Sequence, residues 1–183
     1  HTHPKAKIKF SASDMILNVH SDASYLSVSK ARSRAAGIYF LSSLPTKNKP
    51  IKLNGFFHVI SSVLKFVTAS AAEAELGALF LNAQEAKVFR LVLAELGHPQ
   101  PPTPIHIDNT TTVGIVNNTI KRQRSRSMEM RYFWLLDGET QQYFKFYYHP
   151  GLENLGDYPS KHHTADIHQH VRPYYVHMDN TKI

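Results

Sequence analysis

Between residues 15 and 21 apolar and polar positions alternate, with Met15, Leu17 and Val19 on one face. That is the period of a half-buried strand, and it ends at Asp22. Residues 36–41 and 57–63 carry the same signal, with turn chemistry in the 45–50 segment and at Asn54-Gly55 between them. Three consecutive strands of this kind predict an antiparallel meander. The period then changes to that of a helix. Leu76, Leu79, Phe80 and Ala83 recur at helical spacing, and the run closes at Gly97 before the proline-rich stretch 98–104. A short strand over 104–108, a helix over 110–117, a longer helix over about 127–142 and a last strand over 143–148 complete the order. Pro150-Gly151 then turns the chain into a segment carrying Asp157. Beyond 163 no convincing periodicity remains. The organisation expected is an N-terminal extension over 1–14, a single α/β domain over 15–163 and a C-terminal tail over 164–183.

Composition narrows the class. The chain has 183 residues, 42% of them hydrophobic and 19% charged, enough to build one core and unlike the composition of a disordered chain. Lys and Arg outnumber Asp and Glu by 21 to 14, and the resulting +7 charge and pI near 9.6 make a polyanion the natural partner. There is no cysteine, which excludes a disulfide scaffold and any Cys-ligated zinc or iron–sulfur site. No apolar run reaches the roughly 20 residues of a membrane span, and no N-terminal stretch has signal-peptide organisation. A membrane partner and secretion are therefore not expected.

Four acids fall where elements begin or end. Asp22 follows the first strand, Glu75 lies early in the long helix, Asp108 follows the fourth strand and Asp157 follows the fifth. Taken singly, each is more simply a solvated turn residue or a helix cap. Taken jointly they differ, because neighbouring parallel strands open onto one crevice and a helix packed across them can add a further carboxylate. Hard oxygen donors gathered this way suit Mg²⁺ or Mn²⁺.

The blocks around these acids, Ser21-Asp22-Ala23, Ser70-Ala71-Ala72-Glu73-Ala74-Glu75-Leu76, Ile107-Asp108-Asn109, Met128-Glu129-Met130-Arg131-Tyr132 and Asn154-Leu155-Gly156-Asp157, resemble the successive blocks of copia-type retrotransposon ribonuclease H. They occur in that family's order and cover about residues 15–163. The resemblance implies the ribonuclease H-like fold: a five-stranded mixed β-sheet, three antiparallel strands and then parallel ones, flanked by α-helices. It implies that Asp22, Glu75, Asp108 and Asp157 are catalytic metal ligands. They would hold two Mg²⁺ ions about 4 Å apart, for which Mn²⁺ can substitute, and hydrolyse the RNA strand of an RNA–DNA hybrid. It further implies a reverse transcriptase domain in the same polyprotein, and a retrotransposon particle in the cytoplasm or the nucleus as the setting. A catalytically silent nucleic-acid-binding module of the same fold is the alternative. An integrase or transposase is disfavoured, because those relatives are expected to place their Glu last.

The run Lys121, Arg122, Arg124 and Arg126 is the densest positive cluster and is expected to contact phosphates, positioning a hybrid without reading its sequence. Five of the 12 histidines, His162, His163, His168, His170 and His177, crowd the tail. The His168-x-His170 spacing permits a metal, yet without cysteine or a scaffold an ordinary polar tail is the simpler reading. Tyr132, Phe133 and Trp134 are expected to pack in the core.

Two neighbouring acids can be told apart. Ser70-Ala71-Ala72-Glu73 is a capping-box pattern, with Ser70 accepting from the Glu73 N–H and Glu73 reaching back to the Ser70 N–H. Glu75, two residues further on, points about 160° away on a helix and is left for the crevice.

Overall fold

A computed structural model describes residues 6–44, 52–116 and 126–177. The elements are β1 (Ile16–Val28), β2 (Arg32–Ser42), β3 (Phe56–Val63), α1 (Ala71–Glu95), β4 (Thr103–Ile107), α2 (Thr110–Val116), α3 (Arg126–Thr140), β5 (Phe144–Tyr148), α4 (Asp157–Ser160) and α5 (Ala165–Tyr175), with a 3₁₀ turn at Gly151–Glu153. They build a five-stranded sheet of order β3-β2-β1-β4-β5. The pairs β1/β2 and β2/β3 are antiparallel, and β1/β4 and β4/β5 are parallel. This is the ribonuclease H-like arrangement, with helices flanking the sheet.

Strand alternation sorts the sheet into two unlike faces. Leu17 and Val19 of β1, Tyr39 of β2, Ile105 of β4 and Phe144 and Phe146 of β5 are buried with Leu76, Leu79, Phe80 and Ala83 of α1 and Leu135 of α3. Asn18, His20 and His106 project from the other face, also buried, where Ile38, Phe40 and Leu155 form a small separate cluster with Phe56 and Tyr175 packed on it.

Three local readings are corrected. The first strand does not end at Asp22: β1 runs on to Val28, and Asp22 is paired with Ala36 of β2. Pairing of β1 with β4 runs from Val19↔Ile105 to His20↔His106 only, so Asp22 lies just past the point where β1 loses its parallel neighbour. Alternation reports burial and is blind to a strand that continues with one neighbour gone. The segment after 163 is not without structure: residues 165–175 form α5, which has no buried residue and carries Pro173 within it. Ile167, Val171 and Tyr174 do recur along it at helical spacing, a signal that the interspersed histidines and Pro173 obscure. Phe133 is 53% exposed, whereas Tyr132 is buried and Trp134 packs against the core.

Candidate metal centre

The carboxylates arrive from three elements. Asp22 stands on β1 beyond its last pairing with β4, and Asp108 follows the end of β4, so both face the gap that opens between the two strands. Glu75 is in the first turns of α1, whose start is fixed by Ser70: the Ser70 side chain accepts from the Glu73 N–H at 3.2 Å. Glu73 reaches back as the capping pattern requires, but to the Ala69 N–H at 2.8 Å rather than that of Ser70. One residue of slack at the non-helical end allows the longer reach. Glu75 is thereby turned inward, where its Oε1 accepts from the Ala23 N–H at 3.2 Å.

One oxygen from each of Asp22, Glu75 and Asp108 lies within 4.8 Å of those of the other two, which makes this a group able to hold a metal ion among the described residues. Asp22 and Glu75 are only 3% and 6% exposed, and Asp22 Oδ2 and Glu75 Oε2 are buried without a hydrogen-bond partner. Such orphaned oxygens are costly unless something satisfies them. Burial, followed by the charges of Asp108 and Asp157, pushes Asp22 up to about 7. Burial and then the charges of Asp22 and Asp108 hold Glu75 well above the usual carboxylate range, and burial and then Asp157 raise Asp108. Three convergent hard-oxygen donors that resist carrying charge together fit a divalent cation of the Mg²⁺ or Mn²⁺ type.

Asp157 is placed differently. It opens α4 at the rim, 31% exposed, in an ion pair with Lys161 one turn further on. Its charge is felt by Asp22 and Asp108, but it is not one of the three converging acids. Burial works against the Lys161 ammonium, yet its hydrogen bond to Asp157 and the charges of Asp157, Asp22 and Asp108 hold its pKa above the usual lysine value. Two glycines let this segment close on the site. A Cβ on Gly156 would stand 3.0 Å from Asp22 Cβ, and one on Gly151 would stand 2.9 Å from Asp108 Oδ2.

Of the basic run, Lys121, Arg122 and Arg124 lie outside the described residues, and Arg126 opens α3. Sequence reasoning missed Lys161, although its i,i+4 spacing from Asp157 is a recognisable pairing signal. It also missed Asn154 and His20 as supports. Asn154 donates from Nδ2 to the Ser21 carbonyl at 2.9 Å and accepts the Gly156 N–H on Oδ1 at 3.0 Å. His20 accepts the Leu155 N–H on Nδ1 at 3.0 Å. Burial, then the nearby His106 and His149, keep His20 well below its usual pKa.

No known protein family's sequence profile matches the chain, and no curated protein does. Solved structures do. LC11-RNase H1 in complex with an RNA/DNA hybrid matches with a TM-score of 0.54 at 11% identity, over 76% of this chain and 88% of that one. LC11-RNase H1, isolated from compost by a metagenomic approach, matches with a TM-score of 0.54 at 14% identity, over 79% and 92%. The N-terminal RNase H domain of rv2228c from Mycobacterium tuberculosis, fused to maltose-binding protein, is similar at 10% identity over 76% and 86%, with a TM-score of 0.49. At such identities the likeness is one of fold.

Proposed function

We propose that this chain is a metal-dependent ribonuclease H that hydrolyses the RNA strand of RNA–DNA hybrids, and that it is the ribonuclease H domain of a copia-type retrotransposon polyprotein that also carries a reverse transcriptase. The observation that carries the reading is the meeting of Asp22, Glu75 and Asp108 within 4.8 Å, with two of their oxygens buried and unpartnered. The sequence blocks around these residues supply the copia-type assignment. The catalytic domain would span residues 15–163.

Asp22, Glu75 and Asp108 would hold the Mg²⁺, with Asp157 completing the ligand set from the rim. Divalent ions bound there supply a water readied for attack and charge neutralisation at the leaving oxygen. The chain's own groups set the rest. The Ala23 N–H fixes one Glu75 oxygen, and so aims the other into the cluster. Lys161 is anchored by Asp157 beside the carboxylates, where its ammonium offsets their mutual repulsion. Lys121, Arg122, Arg124 and Arg126 would hold the hybrid's phosphates, giving a salt-dependent affinity without sequence preference.

Incubating a labelled RNA–DNA hybrid with the protein in Mg²⁺ or Mn²⁺, beside Asp22→Asn, tests the reading. Cleavage by the wild type alone is expected. Hybrid binding without cleavage would instead identify a silent nucleic-acid-binding module.

A further inference from the structure

The tail helix α5 has no fully buried residue; its Tyr175 ring packs on the small cluster of Ile38, Phe40 and Leu155, and hydrogen bonds add to that hold. Side-chain hydrogen bonds from Tyr175 and His168 tie it to the body within two residues of Asp157. The Tyr175 hydroxyl donates to the Leu155 carbonyl, and Tyr158 shares a 2.6 Å hydrogen bond with His168 Nδ1. Leu155 is held on its other side by His20 Nδ1, which accepts its N–H. Backbone pairing of Lys7 with His177 closes the chain just beyond the helix.

The segment so held has little structure of its own. Asp157 begins a helix of four residues whose N-cap, Gly156, makes no side-chain capping bond. A single turn is too short to be stable alone. Its position is therefore set by what grips it from outside: Ser24 Oγ donating to the Ser160 carbonyl at 2.6 Å, Ser61 Oγ donating to the Pro159 carbonyl at 2.9 Å, and the two-sided hold on Leu155. Gly156 is meanwhile packed so close that a Cβ there would press on the Asp22 Cβ and backbone nitrogen. A small movement of Leu155 must therefore move Asp157 relative to Asp22.

We propose that α5 is a working part of the metal centre, with Tyr175 and His20 as positioning residues that grip Leu155 from both sides and so fix where Asp157 stands. This rests on the metal-centre reading above and extends it to the tail. The helix acts on the site through main-chain atoms and contributes no ligand itself. Two histidines support the same grip: His168 of the helix ties Tyr158, and His163, just before the helix, stacks on the same Tyr158 ring, with centroids 5.2 Å apart.

The test is a Mn²⁺ titration of the full chain without nucleic acid, following free Mn²⁺ by electron paramagnetic resonance, with thermal melts alongside. Tyr175→Phe keeps the ring and removes the hydroxyl. It should weaken the Asp157-dependent Mn²⁺ binding by about 10-fold, the scale on which loss of a ligand's supporting hydrogen bond acts. In an Asp157→Asn background the same change should have no further effect, because the coupling runs through that carboxylate. His20→Leu should reproduce the loss, and His20→Asn, which keeps an acceptor close to the Nδ1 position, should recover most of it. A melting temperature lowered with Mn²⁺ affinity unchanged in Tyr175→Phe would overturn the proposal, as would an effect that persists in Asp157→Asn. A wild-type chain that binds no Mn²⁺ would instead sink the metal-centre reading on which it rests.

Discussion

The two faces of the sheet are held by different physics. On the α1 face, Leu17, Val19, Tyr39, Ile105 and Phe146 meet Leu79, Ala83 and Leu135, all nearly or wholly removed from water. Non-directional apolar burial dominates there, and each large side chain contributes on the order of 1.5–3 kcal/mol. On the opposite face, His20 and His106 lie against His149, and the segment that follows is fastened through single bonds to Ser21, His20, Ser24 and Ser61. Directional bonds fix position closely but contribute only about 1 kcal/mol net apiece. The acids of the site stand where the two regimes meet, Glu75 coming from the packed side and Asp157 from the bonded one. The packed face gives the rigidity, and the bonded face sets the geometry.

That contrast is sharpest in substitutions that remove charge and leave shape. Asp22→Asn, Asp108→Asn and Glu75→Gln should each lower hybrid cleavage by about 10³-fold or more, the range seen when a group stabilising developing charge is lost. None should unfold the protein. Relief of repulsion among buried carboxylates should instead hold or raise the melting temperature. Full activity in any of the three, assayed in Mg²⁺, would disprove the cluster as the catalytic centre.

The difference between the faces should also appear directly in stability. Leu79, wholly buried between α1 and the sheet, should cost about 2–5 kcal/mol on change to Ala, through lost transfer energy and the cavity left behind. Ile167, 42% exposed on α5, should cost under about 0.5 kcal/mol on the same change. Urea unfolding of the two variants measures both. Equal losses would mean that α5 is part of the core after all.

Without metal, the site should make stability depend on pH in an unusual direction. The folded chain holds Asp22 at about 7, up from the usual 3.8. Between those values the folded state keeps a proton that the unfolded state has lost. The stabilisation is therefore complete below the unfolded value and disappears as pH rises through the folded one. It amounts to at most about 4 kcal/mol. The metal-free protein should melt higher at pH 5.5 than at pH 8, and Asp22→Asn should flatten that difference. Mg²⁺ should recover stability at pH 8, since a bound cation favours the ionised carboxylates.

How much of this could be read from the sequence follows the same division. Alternation at Leu17 and Val19 and the helical spacing of Leu76, Leu79 and Phe80 report apolar burial, so the packed face and its order of elements were legible. Glu75 and Asp108 stand at element edges that the periodicity marks, whereas Asp22 lies inside β1, at the point where that strand has lost its parallel neighbour. The other face leaves no such trace. A bond from His20 Nδ1 to an N–H 135 residues away, or from Tyr175 to Leu155, depends on tertiary closeness and not on spacing. The run of β1 past Asp22 was missed for a related reason, since pairing with β2 alone supports a strand whose far end is exposed.

The smallest expected effect separates the two acids of α1. Glu73 and Glu75 are chemically identical and two residues apart, yet they face about 160° away from each other on the helix. Glu73 accepts the Ala69 N–H while Ser70 accepts the Glu73 N–H, so its work is to close the start of the helix. Glu75 is 6% exposed, with one oxygen on Ala23 and the other unpartnered among the acids. Glu73→Gln keeps an acceptor of the same reach and should leave both cleavage and melting temperature nearly unchanged. Glu73→Ala frees a backbone N–H and should cost about 1 kcal/mol without altering the catalytic rate of the folded protein. Cleavage assays below the melting range, paired with thermal melts, check both variants. If Glu73→Gln were inactive while Glu75→Gln stayed active, the start of α1 would have to be turned by half a revolution from the arrangement described, and the metal centre rebuilt around the other acid.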